Sequence, residues 1–250
     1  MAYIVAIGGG DIRELTTAPI DKEIIRLSGR VHPRLTFIPT ASSDNQKYWE
    51  LIDQYFKKLG CRTDVLFLVK ERPSYEEIKR KILMSDIIYV GGGNTLMMMK
   101  VWRATGVDIL LKQAYKKKNL VLCGMSAGSI CWFDSGHSDS MSFYSPKNWE
   151  YIKVRGLGLL KGIHCPHFNG QTLWKKRRDA FKEMIGKGGG FGIGIDNNCA
   201  IEFSKGKFRI IKSKKHANAY GVFRDEGMVK LKKLPQTKSP LDIRELYSTA

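Results

Sequence analysis

Long apolar runs are missing from this chain. No stretch approaches the roughly 18 uninterrupted apolar residues that a membrane-spanning helix needs. The opening residues lack a basic patch followed by an apolar core and a small-residue cleavage site, so they read as a strand and not as a secretion signal. Cysteine is scarce. The five residues, Cys61, Cys123, Cys131, Cys165 and Cys199, are odd in number and scattered, with no C-x-x-C pair. Neither a disulfide framework nor a zinc site fits that pattern. Reduced thiols packing as small apolar side chains do, and they place the protein in the cytoplasm. Internal repeats, low-complexity blocks and a clear linker are also absent. The expectation is one domain over residues 1–250, with 204–250 as a peripheral C-terminal extension. The spacings G-x-G-x-x-G and G-x-x-x-x-G-K-[ST] are missing too, which argues against a nucleotide cofactor.

Two things are abundant. The 250 residues hold 42 Lys and Arg against 24 Asp and Glu, a formal charge of +18. Such a balance suits a nucleic-acid partner, an acidic substrate or simply a solvated basic face. Glycine numbers 25, above the usual ~7% of residues. With 43% apolar residues there is ample material for a core, and disorder is excluded.

The first half alternates short apolar runs with helical patterns. Strands are expected at Tyr3–Ile7, Arg34–Ile38, Asp64–Val69, Asp86–Val90 and Asn119–Cys123. Helices are expected at Pro19–Leu27, at Asp44–Leu59 with an aspartate cap, and from Ser74 to about Met84. A further helix carries Met97, Met98 and Met99, read as core packing. Alternation of this kind implies a mostly parallel, doubly wound α/β sheet with helices on both faces. Ligands of such sheets bind beyond the carboxyl ends of the strands. Four unusual segments fall there: Gly8-Gly9-Gly10-Asp11, Pro39-Thr40-Ala41-Ser42-Ser43, Gly91-Gly92-Gly93-Asn94-Thr95 and Gly124-Met125-Ser126-Ala127-Gly128. In the second half, Gln171–Ile185 reads as a helix with a basic face. Gly188–Ile195 leads a strand, and Ala200–Phe203 with Phe208–Ile211 forms a hairpin. Met228–Leu231 is a last strand, and the tail from Leu234 to Ala250 is weakly patterned.

Gly124-Met125-Ser126-Ala127-Gly128 is G-x-S-x-G between a strand and a helix, the setting of a nucleophile elbow. The sharp turn exposes the Ser126 hydroxyl, and the next helix aims free N–H groups at a developing oxyanion. The Gly91-Gly92-Gly93 loop beside it offers further N–H groups, while Gly8-Gly9-Gly10 reads as close packing beneath the site. A nucleophilic serine needs a base. His32 and His216 lie in polar stretches. His137, His164 and His167 remain open on the residues alone.

Together these motifs resemble the peptidase E (aspartyl dipeptidase) and cyanophycinase family of serine peptidases. The match runs from Ile4 to about Phe203 and includes Cys165-Pro166-His167-Phe168 and Gly192-Ile193-Gly194-Ile195-Asp196 in order. The resemblance implies a fold like the class I glutamine amidotransferases. Serine at the elbow, where those enzymes often carry cysteine, argues against a glutaminase. It further implies Ser126 as nucleophile, His167 as general base, and Gly92 and Ala127 as oxyanion donors. Gly93 and Asn94 would lie against the substrate. Arg177, with Lys176 and Arg178 as neighbours, would meet a substrate carboxylate. No cofactor or metal is implied. The expected substrate is a short peptide with an N-terminal aspartate, cleaved by a monomer or homodimer.

One position departs from the family pattern. Relatives commonly place a glutamate where this chain has Asn197. Asparagine can still orient the histidine but cannot stabilise imidazolium by charge. Asn197 is therefore the expected third member, with Asp196 second and Asp139, or Asp134, behind it. Two other functions share these motifs. One is a cyanophycinase-like hydrolase of β-aspartyl peptides. The other is a non-catalytic binding protein using the basic stretches Lys205–Lys215 and Lys230–Lys233.

Overall fold

The computed structural model describes residues 2–116 and 119–248. The first half forms β1 (Tyr3–Ile7), α1 (Ala18–Leu27), β2 (Arg34–Ile38), α2 (Gln46–Lys58), β3 (Arg62–Val65), α3 (Tyr75–Met84), β4 (Ile87–Val90), α4 (Thr95–Thr105), α5 (Val107–Ala114), β5 (Val121–Met125) and α6 (Ala127–Ile130). The second half forms β6 (Phe133–Ser138), β7 (Ile152–Arg155), β8 (Leu160–Cys165), β9 (Gln171–Thr172), β10 (Lys175–Lys176), α7 (Arg177–Gly188) and β11 (Gly192–Ile195). After these come β12 (Cys199–Ser204), β13 (Lys207–Lys212), β14 (Ala219–Asp225), β15 (Met228–Lys233), β16 (Leu241–Asp242) and α8 (Ile243–Tyr247).

An eight-stranded sheet in the order β16-β13-β12-β1-β5-β4-β2-β3 carries the fold. From β1 to β3 the strands run parallel. On the other side of β1, the strands β12, β13 and β16 are added antiparallel. Strand residues alternate between two cores, as the period of two requires. Val5, Ile7, Leu35, Phe37, Ile87 and Tyr89 pack against Ile20 and Ile24 of α1 and Ile52 and Phe56 of α2. Ile4, Ala6, Ile88 and Val90 pack against α3, α4 and α5. Met98 and Met99 are fully buried there, so the methionine run is core. This is the doubly wound α/β arrangement expected from the alternation, with helices on both faces.

The second half differs more from its sequence reading. A six-stranded sheet, β15-β14-β11-β8-β6-β7, packs beside the first one. Four of its strands, β6, β7, β8 and β14, fall outside the sequence expectation. Phe133–Ser138 is rich in Ser and Gly, and its burial comes from neighbours on both sides. Gln171–Ile185 is not one helix: β9 and β10 form a hairpin turning at Leu173, which has a φ of 53°, and α7 starts only at Arg177. Tertiary bonds impose that hairpin. Thr172 Oγ1 donates to Asp139, and Lys175 Nζ donates to the Trp149 carbonyl. The α2 cap is Asn45, whose side chain accepts the Tyr48 N–H. The expected cap, Asp44, is buried and accepts the N–H groups of Val69 and Lys70, ending β3 earlier than the sequence suggests. Residues after 204 add β13 and β16 to one sheet and β14 and β15 to the other. The tail contains α8, and its last two residues lie outside the described ones. Among the described residues no helix is long and apolar enough to cross a membrane.

Helices α1 and α2 are joined by a buried acid. Asp21 accepts hydrogen bonds from Thr17 Oγ1 at 2.9 Å and the Tyr55 hydroxyl at 3.1 Å, both on one oxygen. The other oxygen is buried without a partner. Burial pushes this carboxyl up from 3.8 to about 7. A raised folded pKa contributes stability that is full below the unfolded value near 4 and is lost as pH rises through about 7. Denaturant melts should therefore show stability falling by about 2–4 kcal/mol between pH 5 and 8, and Asp21→Asn should flatten that slope.

Candidate active site

The site sits at the carboxyl ends of β1 and β5 and is completed from the second sheet. β1 pairs with β5 so that Ile7 lies opposite Met125, and the Ser126 N–H donates to the Ile7 carbonyl at 3.2 Å. Ser126 has φ 58° and ψ −116°, a region costly for any residue but glycine, as the nucleophile elbow demands. The flanking glycines are compulsory. A Cβ on Gly128 would lie 2.1 Å from the Val90 carbonyl oxygen, and one on Gly124 would lie 2.3 Å from the Gly128 oxygen. Beneath the elbow, Ser129 Oγ bonds the Ser126 carbonyl at 2.8 Å and His164 Nε2 at 2.8 Å. His164 also reaches the Ile193 carbonyl through Nδ1 at 3.0 Å. This Ser129–His164 contact is wholly buried, so it braces the turn and does not meet substrate.

Strands β8 and β11 run parallel, with Cys165 opposite Gly194. Their carboxyl ends therefore deliver His167 and Asn197 side by side. His167 Nδ1 lies 2.5 Å from Asn197 Oδ1. An amide oxygen only accepts, so Nδ1 carries the proton and Nε2 keeps its lone pair. Both residues rest on the first glycine loop. The His167 N–H donates to the Gly8 carbonyl at 2.8 Å, and the Asn198 N–H donates to the Gly9 carbonyl at 2.7 Å. A Cβ on Gly9 would lie 2.2 Å from both His167 Nδ1 and Asn197 Oδ1.

Ser126, His167 and Asn197 line one cavity of about 370 Å³, together with Gly93, Asp139, Phe143 and Arg177. Gly92 adjoins it, since a Cβ there would lie 3.3 Å from Ser126 Cβ. The Gly92 N–H also faces the Tyr48 hydroxyl. Ala127 opens α6, where the first N–H groups have no acceptor inside the helix. Arg177 is the one of its three basic neighbours that reaches the cavity. Lys176 is exposed, and Arg178 lies over the Phe168 and Tyr220 rings. The Arg177 guanidinium is buried and pairs with Asp139 through Nη2 at 2.5 Å, while its Nε and Nη1 are buried without partners. Burial, and after it the Arg177 charge, push His167 down from 6.5 to about 4. At neutral pH the imidazole is uncharged and able to accept a proton.

Other expected residues lie elsewhere. Asn94 is buried as the cap of α4, where its side chain accepts the Met97 N–H, and it does not line the cavity. Asp196 accepts the Asn218 N–H at 3.0 Å, away from the His167 ring. Asp139 serves Arg177 and Thr172 instead of the histidine. Asp134 accepts the Gly162 N–H. His137 is buried between Cys165 and the Tyr151 ring. Sequence reasoning missed Phe143, Gln171, Thr172 and Leu173, which come from segments read as loop or helix. Among the described residues no group of three or more His, Cys, Asp or Glu could hold a metal ion.

Comparison with known proteins identifies the family and the fold. The model of peptidase family S51 matches residues 4–211. An uncharacterized peptidase from Bacillus subtilis, YgaJ, is 35% identical over 229 residues, covering 90% of this chain and 94% of its own. A cyanophycinase from Nostoc is 23% identical over 72% of this chain and 62% of its own. The solved structure of a peptidase from an acI-B1 Actinobacterium superposes with a TM-score of 0.73 over 97% of both chains, at 18% identity, and so shares the fold.

The glycine floor is open to a direct test. Gly9→Ala should fold normally, because its clash is with two side-chain tips and not with backbone. It should separate His167 from Asn197. Loss of the low-field Nδ1 proton resonance, with turnover down by about 100-fold, is the expected outcome.

Proposed function

This chain belongs to peptidase family S51 and is a serine peptidase; on that premise we propose that it is an exopeptidase removing an N-terminal aspartate from short peptides. The observation that carries the reading is Arg177. A buried guanidinium with unspent N–H groups, in the same cavity as Ser126 and His167, calls for a carboxylate. An aspartyl side chain supplies one at the distance of a single residue from the scissile carbonyl. Arginine holds such a group more firmly than lysine because its donors are fixed in a plane.

In the proposed reaction Ser126 Oγ attacks the substrate carbonyl while His167 Nε2 takes the hydroxyl proton. The oxyanion forms against the Ala127 N–H and the Gly92 N–H, taking the latter from the Tyr48 hydroxyl, with Gly93 leaving room for the substrate backbone. His167 then gives its proton to the departing amine, and the acyl bond to the amine breaks. Water, activated by the same nitrogen, releases aspartate and restores Ser126. Asn197 holds the imidazole by Nδ1 throughout without lending it negative charge. We place the enzyme in the cytoplasm, where its five free, buried cysteines stay reduced. It works there as a monomer or homodimer on a peptide bearing an acidic residue. Within the basic stretches, Arg209 pairs with Glu202 and Glu23, and Lys230 with Asp225.

Ser126→Ala should abolish hydrolysis of an Asp-Leu dipeptide, by about 1000-fold or more, with an unchanged circular dichroism spectrum. The wild type should prefer Asp-Leu to Ala-Leu. Full activity in the serine variant, or equal rates on the two dipeptides, would refute the reading.

The low His167 pKa sets the acid limb. kcat/KM should be flat through neutral pH and fall to half near pH 4, where the base becomes protonated. Asn197→Asp puts a carboxylate on Nδ1, so the limb should move up by a unit or more.

A further inference from the structure

A buried guanidinium has lost its water and must be compensated from its surroundings. Asp139 does this for Arg177 along one edge, through Nη2, while Nε and Nη1 are buried without partners. A second support lies on the face of the group. Arg177 Cζ stands over the Tyr151 ring, 5.4 Å from its centroid. The face of an aromatic ring is electron-rich and attracts a cation. It does so without taking a donor in the guanidinium plane, so it steadies the charge and leaves the edge free.

The ring is itself fixed on several sides. Tyr151 immediately precedes β7, and its hydroxyl donates to the Lys175 carbonyl at 3.0 Å. The His137 ring stacks on it with centroids 4.1 Å apart, and the Trp149 ring meets it edge-on at 4.8 Å. Lys175 reaches back, donating from Nζ to the Trp149 carbonyl at 2.5 Å and lying over the Trp149 ring. Arg177 follows two residues later. The aromatic segment thus grips the backbone of β10 and the side chain just beyond it. Burial, and after it the Arg177 charge, press His137 well below its usual range, so it adds no second cation to the stack. Tyr151 does not line the cavity that Arg177 lines.

We propose that Tyr151 is a positioning residue: its ring face carries the Arg177 guanidinium so that Nε and Nη1 stay free for a ligand carboxylate. The carboxylate part rests on the aspartyl reading given above. A carboxylate in place of the ring would hold the cation equally well and consume the donors the substrate needs.

Two replacements at position 151 separate ring charge from ring shape: Tyr151→Phe and a trifluorinated phenylalanine. Fluorine withdraws the electron density that attracts the cation and leaves the packing nearly unchanged, so folding is not at risk. KM for Asp-Leu should stay near the wild-type value with phenylalanine and rise about tenfold with the fluorinated ring, with kcat within about twofold. His167 gives a readout that needs no substrate. The charged groups facing it are Arg177, which lowers its pKa, and Asp139, which raises it. His164, pushed down to about 3 by burial, is uncharged. A guanidinium released from the ring should therefore lift the His167 midpoint above 4 in an NMR titration, in the fluorinated variant and not in Tyr151→Phe. The same KM and the same midpoint in both variants would overturn the inference and leave the aspartyl reading intact. A lifted midpoint in an enzyme that cleaves Asp-Leu no faster than Ala-Leu would sustain the placement of the guanidinium and overturn the aspartyl reading.

Discussion

The approach of a bare backbone to a histidine–amide pair is the contact on which the site depends. Gly8 and Gly9 lie at the end of the central strand β1, between the elbow on β5 and the incoming β12. Their carbonyls take the N–H groups of His167 and Asn198; the missing side chain of Gly9 leaves room for the imidazole and the carboxamide, and that of Gly8 for the Ile195 and Asp196 carbonyls. Any Cβ at position 9 would occupy the place of the hydrogen bond between them. The first sheet supplies Ser126 and the floor, and the second supplies His167 and Asn197. The glycine loop is where the two halves of the molecule meet closely enough for chemistry.

Electrostatics follow from that burial. The imidazole is largely removed from water, stands near a buried arginine and is held by a neutral amide. Burial and the arginine keep it uncharged at neutral pH and outweigh the Asn197 hydrogen bond, which favours the charged form. A glutamate in place of Asn197 would add a stabilising charge for the imidazolium formed in the reaction. Its absence makes His167 a weaker base that stays available over a wider acid range. Arg177 is balanced by Asp139, which keeps a buried cation tolerable while leaving its Nε and Nη1 donors unpaired. The charge of the same arginine also acts on the imidazole, lowering its pKa.

Strain at the elbow is held by structure on every side. Ser126 and His167 both adopt positive φ. The first is locked by the glycines at 124 and 128 and by the Ser129–His164 brace, the second by its bond to Gly8. Residues in such conformations persist only where their surroundings overdetermine them, and here those surroundings come from both sheets.

The parallel sheet, the elbow and the glycine loops were legible in the sequence because they rest on local signals: apolar runs of strand length, glycine where the chain must turn or touch, and serine between strand and helix. The pairing of His167 with Asn197 was legible only through family resemblance, since thirty residues separate them and no local rule joins them. Of the second sheet, only β11 and β15 were legible. Strand β6 is polar in sequence and buried by its neighbours, so periodicity carries no trace of it. The hairpin before Arg177 was hidden for a similar reason, its residues being pulled from a helical pattern by bonds to Asp139 and Trp149. Asn94 shows the opposite case, a residue whose motif suggested substrate and whose helix required a cap. The sequence by itself determined the chemistry available, a serine at a turn and a histidine without an acid. Tertiary structure alone decided which groups share the cavity, because strand pairing and desolvation act between residues far apart in the chain.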